Sequence, residues 1–154
     1  MGRRILFDES RCTHCHLCTM FCSLAFGEKG RYQVRPFIAR IRVAASEDDT
    51  RYAAHVCLQC TAPACVEACP VEALTRDEAE GVVFLDEAAC IGCGSCVEAC
   101  ALGGIFMAGD VAVKCEVCDD PLCVRACAQK ALSLGTDTEA DGLDLETLYR
   151  EVPL

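Results

Sequence analysis

Cys90 to Cys100 reads CIGCGSCVEAC: three cysteines at two-residue gaps, then a fourth after three more residues. Three thiols this close can converge on one point only if the chain curls around it, and Gly92 and Gly94 tolerate the left-handed turns that curling needs. Cys100, four residues after Cys96, is placed on the first turn of a helix. Three further runs repeat the plan. Cys12, Cys15, Cys18 and Cys22 have the same short spacing, whereas Cys57, Cys60, Cys65, Cys69 and Cys115, Cys118, Cys123, Cys127 carry a four-residue central gap. All sixteen cysteines of the 154-residue chain fall in these four runs.

The short spacing resembles that of bacterial-type ferredoxins, which implies [4Fe–4S] clusters held by four thiolates, the fourth cysteine of a run turning to a neighbouring cluster. Structural zinc sites instead join two CxxC pairs across a spacer of a dozen or more residues. Disulfide scaffolds belong to secreted chains, and the N-terminal MGRRILFDES shows no apolar signal segment. His14 and His16 lie inside the first loop, but four cysteines already serve it, so tuning or solvent exposure is the expectation for both.

An apolar fraction of 53% that counts sixteen cysteines leaves a modest ordinary core. Clusters are therefore expected to share the core's work, and the chain without them to fold poorly. Residues 1–51 carry nine Lys/Arg against six Asp/Glu, and residues 52–154 five against eighteen. Such an acidic body argues against nucleic acid, and no apolar run approaches the length of a membrane span, so direct membrane insertion is not expected. Arg31, Arg35, Arg40 and Arg42 alternate with apolar residues and read as one basic edge or as a solvated strand face.

The fold class expected is α+β: two bacterial-ferredoxin-like lobes of short β-hairpins and short helices built around four clusters. Strands are expected at Arg3–Asp8, at Ile38–Val43 and Arg51–Val56 around the turn Glu47-Asp48-Asp49, at Ala73–Thr75 and Val82–Leu85, at Ile105–Met107 and Val111–Val113, and at Ala131–Leu134. The form C-V-x-A-C at Cys65, Cys96 and Cys123 marks three copies of one half-unit. Pro63 and Pro121 stiffen the longer loops. The organisation expected is a polyferredoxin unit over 1–134, with one lobe from 1–27 and 108–134, a second from 52–107 and a hairpin insertion at 28–51, then a tail at 135–154. In that tail Asp144 is a candidate N-cap, and Leu145, Leu148, Tyr149 and Val152 recur at helical spacing, a face that must pack on the body or on a partner.

The order short, long, short, long, with Asp86 and a hairpin before the third run, resembles the four-cluster iron–sulfur subunits of molybdenum and tungsten bis-pterin oxidoreductases. Similar subunits serve formate dehydrogenases, dimethyl sulfoxide reductases, hydrogenases and carbon monoxide dehydrogenases; the small subunit of tungsten aldehyde oxidoreductases is similar in size. The resemblance implies nested ligation: Cys12, Cys15, Cys18 with Cys127; Cys57, Cys60, Cys65 with Cys100; Cys90, Cys93, Cys96 with Cys69; and Cys115, Cys118, Cys123 with Cys22. Spacing alone leaves a tandem pairing of runs open. It further implies a non-catalytic, cytoplasmic electron-transfer subunit whose partners are a large catalytic oxidoreductase subunit and a third redox subunit or soluble carrier. A free-standing polyferredoxin is the alternative, and head-to-tail self-association a further option that the uneven charge permits.

Overall fold

The computed structural model describes residues 2–27, 33–136, 148–149 and 151–154. Among the described residues, eight strands form four separate antiparallel pairs. The outermost joins the two ends of the cysteine-bearing segment: β1 (Arg3–Phe7) pairs with β8 (Leu132–Thr136), Ile5 opposite Leu134. The other three are hairpins. β2 (Ile41–Ala45) and β3 (Tyr52–Val56) flank the turn through Asp49, β4 (Leu74–Asp77) pairs with β5 (Val82–Leu85), and β6 (Ile105–Ala108) with β7 (Val111–Lys114). This is the expected α+β class, and each strand lies within two or three residues of its sequence prediction.

Four short helices follow the cysteine loops: α1 (Leu17–Ala25), α2 (Ala64–Glu67), α3 (Ser95–Ala99) and α4 (Leu122–Ala126). Helices of four or five residues cannot stand alone in water, so packing must hold them. α1 lies against α4, and α2 against α3. Cys96 sits in the first turn of α3 and Cys100 caps its C-terminus, so Cys100 is at the end of the helix and not on its first turn.

Two apolar cores result. The smaller gathers Cys65, Leu74, Val83, Cys96, Ile105 and Ala112; the larger joins β1, α1, the β2–β3 hairpin and Leu132 to Leu148, Tyr149 and Val152 of the tail. The tail thus packs on its own body. The Tyr149 hydroxyl donates to the Ala54 carbonyl at 2.8 Å, its ring stacks on His55 at 4.5 Å, and Arg51 ties Glu151 to Glu9. His55 Nε2 lies 2.7 Å from the Val152 carbonyl; because a carbonyl only accepts, this nitrogen carries the proton. Asp144 and Leu145 lie outside the described residues.

The approach to β2 departs from expectation. A 3-10 turn at Pro36–Ile38 replaces the predicted start of the strand, since Pro36 fixes φ for a turn and gives no N–H to a ladder. The basic edge does not form either. Arg40 is buried, paired with Glu87 at 2.5 Å and Glu116 at 3.2 Å, its guanidinium 3.6 Å from the centroid of the Phe26 ring. Arg42 covers the Phe106 ring, and Arg35 covers Phe37. Arg31 lies outside the described residues. Arg40 and Arg42 clamp the hairpin to the body through ion pairs and aromatic faces. No helix among the described residues is long and apolar enough to cross a membrane.

Candidate metal centre

Each cysteine loop curls through a left-handed residue directly before its second cysteine: His14 (φ 54°), Gln59 (φ 54°), Gly92 (φ 69°) and Val117 (φ 54°). Sequence reasoning sees this turn only where glycine marks it. In the other three loops the same geometry is imposed on side-chain-bearing residues, and for β-branched Val117 it is a true outlier, costing about 1–3 kcal/mol. Strain of this kind persists only where the surroundings over-determine it. Here the reason is visible: the turn aims the Val117 N–H at the Cys115 sulfur, 3.4 Å away.

The two spacings then enter their helices differently. In the short runs a left-handed residue precedes the helix, His16 (φ 59°) before α1 and Gly94 (φ 78°) before α3. In the long runs the extra residues end in an extended proline, Pro63 or Pro121, whose carbonyl accepts the first helical N–H from Val66 or Val124. His14 stacks on Tyr52 at 5.1 Å and lies 4.4 Å from His16, which is exposed and whose pKa is lowered by burial and by the charge of His14.

The chain brings the sixteen thiols into four neighbourhoods. Cys12 acts electrostatically on Cys18, and Cys127 on both, with Cys15 alongside Cys12. Cys123 feels Cys22, Cys115 and Cys118, and Cys22 in turn feels Cys118. Cys57, Cys60 and Cys65 share the influence of Cys100. Cys96 feels Cys90 and Cys69, and Cys69 feels Cys93. The neighbourhoods also touch in series, through Cys18 with Cys123 and through Cys57 with Cys115. Among the described residues, no three His, Cys, Asp or Glu side chains are grouped so as to hold a single metal ion. Four thiols around a larger body is the arrangement a polynuclear cluster uses.

Backbone donors converge on these sulfurs. Ala73, Gly104 and Ala131 direct their N–H groups at Cys69 (3.3 Å), Cys100 (3.4 Å) and Cys127 (3.2 Å), four residues back in every case, and Arg40 N–H reaches Cys22 at 3.2 Å. Donors aimed at sulfur stabilise thiolate over thiol. At Cys69 three of them, from Val71, Ala73 and Leu74, overcome burial and hold the group below the usual thiol range. At Cys18, Cys65 and Cys115 burial dominates, pushing the first two up to about 11 and the third up to about 12. A thiol at such a position ionises when a metal takes the charge, so the donor set fits iron–sulfur ligation.

Gln59 and Lys114 are among the buried polar residues that escaped sequence reasoning. Neither carries a motif signal; they become visible only through burial.

The comparisons agree with the geometry. The model of the 4Fe-4S dicluster domain family matches residues 49–137. An uncharacterized ferredoxin of Methanocaldococcus jannaschii is 37% identical over 134 residues, covering 86% of this chain and 72% of its own. YsaA of Escherichia coli, named for electron transport, is 34% identical and covers 86% of this chain and 88% of its own. Formate hydrogenlyase subunit 2 of Escherichia coli is 30% identical, covering 90% of this chain and 84% of its own. The chain is a ferredoxin-like [4Fe–4S] protein and belongs to the 4Fe-4S dicluster domain family.

Proposed function

We propose that this chain is the electron-transfer subunit of an oxidoreductase complex, built to relay single electrons through four [4Fe–4S] clusters between a catalytic subunit and a second carrier. One observation carries the reading: sixteen thiols stand in four neighbourhoods that adjoin one another in series, through Cys18 and Cys123, through Cys115 and Cys57, and through the core that Cys65 shares with Cys96. The ligand sets we assign are Cys12, Cys15, Cys18, Cys127; Cys115, Cys118, Cys123, Cys22; Cys57, Cys60, Cys65, Cys100; and Cys90, Cys93, Cys96, Cys69. They make two interleaved lobes, the first closed by the β1–β8 pair and the α1–α4 contact, the second by the α2–α3 contact.

A [4Fe–4S] cluster supplies a reversible one-electron couple, and the protein sets its potential through hydrogen bonds to sulfur, charge and exposure. The N–H groups of Ala73, Gly104, Ala131 and Arg40 serve the first of these. Cys15 and Cys93, in the two terminal neighbourhoods, are exposed, as is Cys60 in a central one, so each end of the series has an edge for electron entry or exit without being alone in it. All sixteen cysteines are committed to ligation on this reading, which leaves the chain no catalytic nucleophile of that type. The catalytic partner we favour is a tungsten or molybdenum bis-pterin subunit, on the order of the four runs. A relative that is itself a formate hydrogenlyase subunit supports life within a complex, whereas relatives named as ferredoxins favour the second reading, a free-standing polyferredoxin.

Anaerobic isolation from the native source tests both readings. The protein is expected to carry about sixteen iron and about sixteen acid-labile sulfide per chain and to co-purify with a larger metal-containing subunit. About eight iron refutes the four-cluster assignment; full iron with no associated subunit at any salt concentration selects the free carrier.

A further inference from the structure

Lys114 is the bulkiest side chain wholly buried in the described structure. It ends β7 immediately before Cys115, and its ammonium donates to the carbonyls of Val83 and of Cys115, the latter at 2.6 Å. Cys57, two residues before Gln59 in the loop packed on this end of β7, lies near enough for its sulfur to feel that charge. Both acceptors are neutral carbonyl oxygens, which answer N–H donors and carry no countercharge. Gln59 fixes the same two residues, donating to the Cys115 carbonyl at 2.7 Å and accepting from Val83 N–H at 2.8 Å.

A buried cation is costly unless an anion answers it. The other buried cation, Arg40, is answered by the carboxylates of Glu87 and Glu116. Among the described residues every ion pair is made by an arginine, and none reaches Lys114. What its charge acts on is sulfur: Cys57 and Cys65 of one neighbourhood and Cys115 of the next. The thiols of Cys12, Cys18, Cys69, Cys93 and Cys96 respond mainly to other groups.

We propose that Lys114 is a redox-positioning residue, a fixed cation between the two central seats that raises the reduction potential of the clusters held by Cys57, Cys60, Cys65, Cys100 and by Cys115, Cys118, Cys123, Cys22. The inference rests on the four-cluster reading above. Accepting one electron adds one negative charge at a seat, and a cation in the low-dielectric boundary favours that state at both neighbours. Both central clusters are thereby drawn in the same direction by one side chain.

The test is an anaerobic redox titration of the holoprotein against dithionite, followed by electron paramagnetic resonance, with iron counted on every sample. Lys114→Met and Lys114→Gln are expected to keep the wild-type iron content while two of the four couples fall by at least tenfold in the reduced-to-oxidised ratio, about 59 mV for one electron. Lys114→Arg, which keeps the charge, is expected to hold those two couples within that tenfold. Uniform movement of all four couples, or no movement in the neutral variants, overturns the proposal. So does loss of iron from both neutral variants, which makes Lys114 a structural tie between loops. A wild-type iron count of about eight is the separate failure of the four-cluster reading.

Discussion

Gly104 brings its backbone hard against a proposed ligand, so replacing it with alanine directly perturbs the second lobe. Its N–H donates to Cys100 sulfur, and a Cβ added there would lie 2.8 Å from Cys57 Cα, 2.9 Å from Cys57 N and 2.9 Å from the Val56 carbonyl oxygen. Carbon atoms rest comfortably at about 3.5–4.0 Å, so one chain must retreat by roughly 0.7 Å or more. All three obstacles are backbone atoms, which no rotamer change can clear. Overpacking of this sort costs about 1–3 kcal/mol, a factor of about 5–150 in an equilibrium constant. The retreat also moves Cys57 and Cys100, two members of one proposed ligand set. Anaerobic urea unfolding, followed by cluster absorbance with iron counted beforehand, is expected to show a lower midpoint for Gly104→Ala and preferential loss of iron from that set. Ala73 and Ala131 occupy the equivalent places after Cys69 and Cys127 and already carry the methyl group, so their glycine variants are expected to retain full iron. Full iron and an unchanged midpoint in Gly104→Ala would refute the reasoning.

Two further outcomes follow from the buried groups. Tyr149→Phe removes the 2.8 Å hydrogen bond to the Ala54 carbonyl while leaving the ring on His55, so unfolding is expected to become easier by about 0.5–1.5 kcal/mol with iron content unchanged. An unaltered denaturation midpoint would show that the tail contact adds nothing. Burial holds Cys18, Cys65 and Cys115 above the ordinary thiol value of 9.0, so without iron they are protonated at neutral pH and ligation must expel protons. Cluster loading is therefore expected to weaken as pH falls. In the iron-free folded chain the sign is opposite: stability from these thiols is present below pH 9 and is lost as pH rises towards about 12. Calorimetric loading in two buffers of different ionisation enthalpy should give different apparent heats; equal heats would contradict the proton release.

The strands were legible because alternation such as Ile41-Arg42-Val43 has the two-residue period of a half-buried strand, and the seats were legible because thiols at fixed short spacings have few other uses. Residues whose role comes from tertiary context were not. Val117 and Gln59 take left-handed backbone with no glycine to announce it, because thiol convergence dictates the turn and the side chain must tolerate it. Arg40 sits in an alternating segment that reads as a solvated face, yet the turn at Pro36–Ile38 swings it inward on to Phe26. Lys114 at a strand end carries no sequence signal of burial, yet it lies wholly inside with its Nζ on the Val83 and Cys115 carbonyls.

The first run shows why the hairpin between runs one and two belongs to the site. After Cys69, Cys100 and Cys127 the chain makes a left-handed turn three residues on, at Glu72, Gly103 and Lys130, and the next N–H returns to the sulfur. After Cys22 the helix α1 continues to Ala25, so its backbone is occupied with helical bonds and no such turn follows. The missing donor comes from eighteen residues away, as Arg40 N–H. Burial raises the Cys22 thiol, and the N–H groups of Arg40 and Ile41 work against that rise. Arg40 holds the strand in place with its side chain, bridging Glu87 before the third run to Glu116 inside the fourth, while Ser23 accepts the Arg35 N–H at 3.1 Å. Glu116 lies between Cys115 and Cys118, the thiols that share Cys22's neighbourhood. The segment that looks like an insertion therefore supplies to Cys22 the donor that local turns supply to the other three fourth cysteines.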